Sequence, residues 1–135
     1  LVRFSERALS LLADHHAITG ASRKDSWAVF PSFGDLWVER SGGRFIITSV
    51  RHGSPAEANG VRAGNELVSV DGIPIAVAIQ SFWADLGTSG GAERDGYAAR
   101  VLAAGRRDRP RRLELASAHT KKTVLLPSLY AVERP

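Results

Sequence analysis

The chain has 135 residues, of which 44% are hydrophobic and 24% charged, and 18 basic against 14 acidic side chains leave a net charge of +4. That length and balance fit one compact domain with a modest extension and exclude a disordered tail, a collagen or a coiled coil. No cysteine is present, which excludes disulfides and thiolate metal sites, and no apolar run approaches the roughly 20 residues that a membrane helix needs.

In chain order, Phe4, Ala8, Leu11 and Leu12 fall on one helical stripe, and the helix is expected to stop before Thr19-Gly20. Residues 20–26 are polar and turn-rich and lead to a strand-like stretch at Trp27 to Phe30, closed by Pro31. Leu36 to Glu39 and Phe45 to Val50 read as a hairpin around Ser41-Gly42-Gly43. Next, Ser54 is placed to cap a short helix, with Pro55 at its first position, Glu57 reaching back as a capping box and Gly60 ending it.

Leu67 to Val70 reads as a strand that turns at Asp71-Gly72 and returns along Ile73 to Ile75. Ile79, Phe82, Trp83 and Leu86 recur at helical spacing up to Gly87, and Thr88-Ser89-Gly90-Gly91 is expected to be a flexible loop. A further short helix is expected at Tyr97 to Ala104, ended by Gly105, followed by strands at Leu113 to Ala116 and Thr123 to Leu126. Five arginines crowd residues 106–112. They could attract phosphates, but no aromatic residue is interleaved to stack bases, so a solvated loop is expected there and nucleic acid is not the expected partner.

The run Val50-Arg51-His52-Gly53-Ser54-Pro55-Ala56-Glu57-Ala58-Asn59-Gly60-Val61-Arg62-Ala63-Gly64-Asn65-Glu66-Leu67-Val68-Ser69-Val70-Asp71-Gly72 closely resembles the bacterial PDZ signature. The stretch from Phe33 to Leu126 is similar to the PDZ module of carboxyl-terminal processing (tail-specific) serine peptidases. This resemblance implies an α+β fold: a PDZ-like small β-sandwich or partly open barrel with two or three helices. It also implies a division into an N-terminal helix and linker at 1–30, a PDZ-like domain at 31–128 with a helical insertion near 76–95, and a tail at 129–135. The chain starts at Leu1 and lacks methionine, so a piece of a longer protein is expected. In that family the nucleophilic serine and its lysine base belong to a following domain; the chain itself leaves the compartment open, and periplasmic or secreted placement is what the resemblance implies.

By the same resemblance, a peptide would add as a strand along Leu36, Trp37 and Val38. Phe33, Gly34 and Asp35 would form the carboxylate-binding loop, and Tyr97, Ala98, Val101 and Leu102 the opposite wall. Helical spacing lets only one of the pairs Tyr97/Val101 and Ala98/Leu102 dominate such a groove, and each of the four is equally well explained as core. The chain departs from the family where it has Asp35 and Trp37 in place of small residues, and Asn65 in place of aspartate. An acidic Asp35 would repel a ligand carboxylate unless Arg100 or another base compensates it, so weak or internal-peptide recognition is expected.

The expected partners are peptide or protein carboxyl-terminal segments or, alternatively, the parent's own protease domain, docked through Trp37 or Trp83. No cofactor and no metal site is expected. Ser10, Asp14, His15 and His16 lie close in sequence, but no nucleophile-elbow pattern surrounds any serine and no Glu or Cys completes a ligand spacing for His15-His16. His52 and His119 are isolated. The fragment itself is therefore expected to be non-catalytic.

Overall fold

The structure, a computed structural model, describes residues 34–106 and 108–129. The expected N-terminal helix and linker, Phe33, the Ser10 to His16 cluster and the tail beyond Leu129 lie outside these residues.

Strand β1 (Leu36–Ser41) and strand β2 (Arg44–Val50) form the expected antiparallel hairpin, with Ser41 opposite Arg44. Gly42 supplies the positive φ of 63° that a two-residue turn of this kind needs at its first central position. Val38, Phe45 and Ile47 are buried, whereas Glu39, Arg40 and Arg44 stay in solvent. A bulge interrupts the pairing between Trp37 and Val38: Val38 faces Ile47 but Trp37 faces Ser49, which leaves Thr48 as the extra residue.

The short helix α1 (Pro55–Ala58) starts as its sequence dictates. Ser54 Oγ accepts the Glu57 N–H at 3.2 Å, and the chain runs out through Asn59 to Gly60 at φ 85°. Glu57 does reach back, but to the N–H of Gly53 at 3.0 Å, because the Ser54 N–H is already bonded to the Arg51 carbonyl. Asn65 closes the next turn by accepting the Arg62 N–H at 2.9 Å, a role an aspartate could fill equally well.

Strand β3 (Glu66–Val70) is the hub of the sheet. It meets β2 at its start, through Ile46 and Glu66, and strand β4 (Ile73–Pro74) at its end, while strand β5 (Arg111–Ala116) runs along it. Asp71 and Gly72, both at positive φ, make the β3–β4 turn, and Asp71 also accepts the Arg112 N–H at 3.0 Å. Strand β6 (Lys121–Leu126) pairs with β5. The result is one open, six-stranded, wholly antiparallel sheet in the order β1-β2-β3-β5-β6, with β4 beside β3. The class is α+β, with three helices among the described residues.

Helix α2 (Ile75–Asp85) begins earlier than its apolar spacing predicts, taking Ile75 from the expected return strand. Ala78, Ile79, Phe82 and Trp83 form its buried face, and Gly87, at φ 75°, turns the chain away. Helix α3 (Ala92–Ala104) is longer than the expected Tyr97 to Ala104, with Gly91 as its N-cap. Asp95 extends this first turn by accepting the Gly91 N–H at 3.2 Å, an interaction that hydrophobic periodicity cannot register. Tyr97, Ala98, Ala99, Val101, Leu102 and Ala103 pack against Val38, Leu67, Leu113 and Leu115 in one core.

Candidate functional site

The geometry of the β1–β2 turn decides which backbone groups of β1 are available. In a two-residue hairpin the pair flanking the turn exchanges both hydrogen bonds, and such pairs alternate with pairs that exchange none. Ser41 and Glu39 therefore point their N–H and C=O toward β2, while Arg40, Val38 and Leu36 point theirs away from it. The same alternation places the Asp35 carbonyl on the β2 side, where it accepts the Arg51 N–H at 2.8 Å. Among the described strands β1 pairs only with β2, so its outward groups line a sheet edge. Helix α3 packs along β1.

Two places where the helix meets the edge bear on its availability. Arg100 reaches from α3 to donate from Nη1 to the Val38 carbonyl at 3.1 Å, and its guanidinium lies 4.4 Å from the centre of the Trp37 ring. Burial pushes the pKa of this half-buried arginine down, against the opposing pull of Glu39 and Tyr97. One turn earlier, α3 presents Gly96, where an added Cβ would lie 3.5 Å from Arg100 Nη1 and 4.0 Å from the Arg40 backbone nitrogen. A methyl group would fit at these distances, so the spacing of helix and strand does not depend on glycine here.

At the opposite end of β1, Asp35 and Arg111 form a buried pair, with the two side chains 5% and 1% exposed. Arg111 Nη1 and Nη2 each meet one carboxylate oxygen at 2.8 Å, and the remaining donors reach the carbonyls of Ala103 at 3.3 Å and Pro127 at 2.8 and 3.2 Å. Every N–H of the guanidinium is thereby used. Gly105, at φ 77°, makes room for it: a Cβ there would lie 2.5 Å from Arg111 Cγ. This corrects the expectation of a solvated arginine loop at its most important member, although Arg109 and Arg112 are exposed as expected. The compensation that Asp35 requires comes from Arg111 and not from Arg100, so Asp35 presents no uncompensated charge to a ligand.

Of the residues proposed from sequence, Gly34, Leu36 and Trp37 are half-buried, and Asp35 and Val38 are buried. Tyr97, Ala98, Val101 and Leu102 are all at most 6% exposed, so neither helical pair stands out as a wall. The two tryptophans considered as docking anchors part company. Trp37 is half-buried, whereas Trp83 is 1% exposed and donates to Asp95 Oδ1 at 3.0 Å, beneath the Arg94 guanidinium at 4.3 Å. Phe82 and Tyr97 add an edge contact at 5.0 Å and a stacked contact at 6.4 Å. The loop at 88–91 is accordingly built onto Trp83, with the Thr88 N–H bonded to the Trp83 carbonyl at 3.0 Å. A cleft of about 600 Å³ lies between this loop, α2 and the β1–β2 hairpin, lined by Arg40, Phe45, Gln80 and Trp83 among others.

Gly96 and the burial of Arg111 lie outside the sequence-based expectations, in which Arg100 enters only as a possible counter-charge. A glycine four residues before an arginine on one helix was the available signal for the first contact; nothing local marks Arg111. Of the surface or satisfied-core placements expected for the isolated His52 and His119, both take the exposed one. No cluster of His, Cys, Asp or Glu able to hold a metal occurs among the described residues, and no described helix is long and apolar enough to cross a membrane. No protein-family model matches the chain, and no curated protein matches it.

Proposed function

We propose that this chain is a peptide-recognition module of the PDZ type, of the kind that serves a carboxyl-terminal processing serine peptidase. The observation that carries the proposal is the edge of β1: this strand pairs with another described strand on one side only, and its outward N–H and C=O groups at Leu36, Val38 and Arg40 run beside α3, with Arg100 donating to the Val38 carbonyl. An extended peptide could hydrogen-bond to such an edge as an added strand, with main-chain bonds giving affinity and flanking side chains giving selectivity. The signature glycines and the Ser54 cap support the same reading, because they shape the β2–α1–β3 segment, whose β2 is the neighbour of this edge.

With α3 packed along β1, strand addition requires α3 to move outward or the ligand to enter at the Leu36 end. Titrating the protein with apolar-ending decapeptides, each with a free or an amidated carboxyl terminus, tests the proposal by amide NMR. The expected outcome is selective perturbation and slowed exchange of the Val38 and Arg40 amides. Perturbation confined to α2 and β6 would refute strand addition at this edge. A second reading, docking onto a neighbouring domain of the parent, is favoured by the partial exposure of Trp37, while Trp83 is too deeply buried to serve as its anchor.

A further inference from the structure

Side chains alternate between the two faces of a strand, so Arg40 shares its face of β1 with Val38, a fully buried core residue. Its cross-strand partner is Phe45, also buried, and the alternation set by the β1–β2 turn makes this one of the pairs whose side chains stand closest together. Arg40 thus points to the side of the sheet on which the core lies. It is nevertheless exposed, because the cleft of about 600 Å³ opens there.

Gln80 borders the same cleft from α2, and Phe45, Ile79 and Trp83 form its apolar part. Neither the Arg40 nor the Gln80 side chain makes a hydrogen bond or an ion pair among the described residues. Asp95, the acid that also lines the cleft, has its Oδ1 committed to the Trp83 indole and the Gly91 N–H and forms no ion pair with Arg40. A guanidinium and an amide therefore flank an apolar hollow that supplies them with no acceptor. Apolar walls with a few placed polar groups, in a volume of roughly 300–1,000 Å³, are the usual make-up of a small-ligand site.

From this arrangement we infer that the cleft binds a ligand in which an aromatic or bulky apolar group carries a carboxylate. The apolar group seats against Phe45, Ile79 and Trp83, the carboxylate takes two parallel N–H groups of Arg40, and the Gln80 amide donates beside it. The last residue of a peptide and a free aromatic acid share that chemistry. The site requires no strand on β1 and no movement of α3, so it stands or falls apart from the reading above.

NMR titrations of the whole chain with N-acetyl-phenylalanine, its carboxamide, hydrocinnamate and acetate test it. The two aromatic acids are expected to shift the Gln80 side-chain amide, the Trp83 indole and the Gly90 and Gly91 amides together. The carboxamide should bind about 10-fold more weakly, and acetate should leave these signals in place. Tighter binding of N-acetyl-phenylalanine than of hydrocinnamate identifies a peptide end as the occupant, and the reverse order a free acid. Arg40→Gln is expected to weaken both acids to the level of the carboxamide and to leave the carboxamide unchanged. Ala84→Phe, which fills the cleft from an exposed helical position, should abolish binding of both acids, with the amide spectra establishing that each variant is folded. Equal binding of acid and carboxamide, an acid preference that persists in Arg40→Gln, or binding that survives Ala84→Phe overturns the site. Shifts confined to residues outside the cleft, or no shift with any probe at millimolar concentration, overturn it as well, and each of these results leaves strand addition at β1 untouched.

Discussion

Asp35 and Arg111 stand 76 positions apart and meet with both carboxylate oxygens engaged, in a setting where neither charge reaches water. Removing one member of such a pair strands the other, so Asp35→Ala is expected to destabilise the chain by about 3–5 kcal/mol, read as a lower urea midpoint. Replacing both at once, with Asp35→Leu and Arg111→Met, should recover a large part of that loss, because the desolvation of both charges is then removed as well. Glu57 offers a milder residue-scale test. Its carboxyl is held below the usual carboxylate range chiefly by the Gly53 N–H, burial opposing, with His52 and Arg62 assisting. A folded pKa below the unfolded one means that its stabilisation is complete above the unfolded value and is lost as pH falls through the folded value. Melting temperatures followed from neutral pH down past about 4.3, the ordinary Glu value, should therefore fall less steeply in Glu57→Gln than in the parent chain.

At the scale of elements, helix ends do more than stop helices. Ser54 caps α1 and also donates to the Arg51 carbonyl at 2.7 Å, so Ser54→Ala is expected to cost about 1 kcal/mol. Gly105 combines a left-handed backbone with contact against the Arg111 side chain, and each alone would resist a methyl group. Gly105→Ala should accordingly destabilise by more than the Ser54 change, and chemical denaturation of the two variants side by side checks the order. The expected short groove helix starts five residues early, at Ala92, because Asp95 and the Trp83 indole organise the turn before it. That arrangement converts the glycine-rich link between α2 and α3 into a fitted loop, in which a side chain at Gly90 would run into Asp95 and Trp83.

For the whole molecule, the open sheet presents β1 and β6 at its two ends. β6 carries Lys121 and Lys122 in solvent beside an exposed Leu125, the charged decoration that discourages edge-to-edge pairing. Leu125→Lys is expected to change stability by no more than about 0.5 kcal/mol and to leave sedimentation unchanged; a shift to a smaller species would show that this leucine holds copies together. β1 is managed differently, being covered by α3, from which Arg100 donates to the Val38 carbonyl. The contrast gives the two edges different prospects, because opening β1 needs movement of a packed helix, whereas β6 is guarded by solvated charge.

The local backbone was legible from the amino acids alone, since each device acts over a few residues: Ser54 and Pro55 starting α1, Gly42 and the Asp71-Gly72 pair turning the hairpins, Gly87 and Gly105 ending helices. The α+β class and most strand positions follow from the same short-range rules together with apolar spacing. Tertiary structure alone decided that one arginine of a basic run would be sealed inside against Asp35, that Trp83 would be core while Trp37 remained half in solvent, and that Arg100 would cross to Val38. These contacts join residues dozens of positions apart, and nothing in a side chain's neighbours along the chain records the desolvation and pairing that select its distant partner.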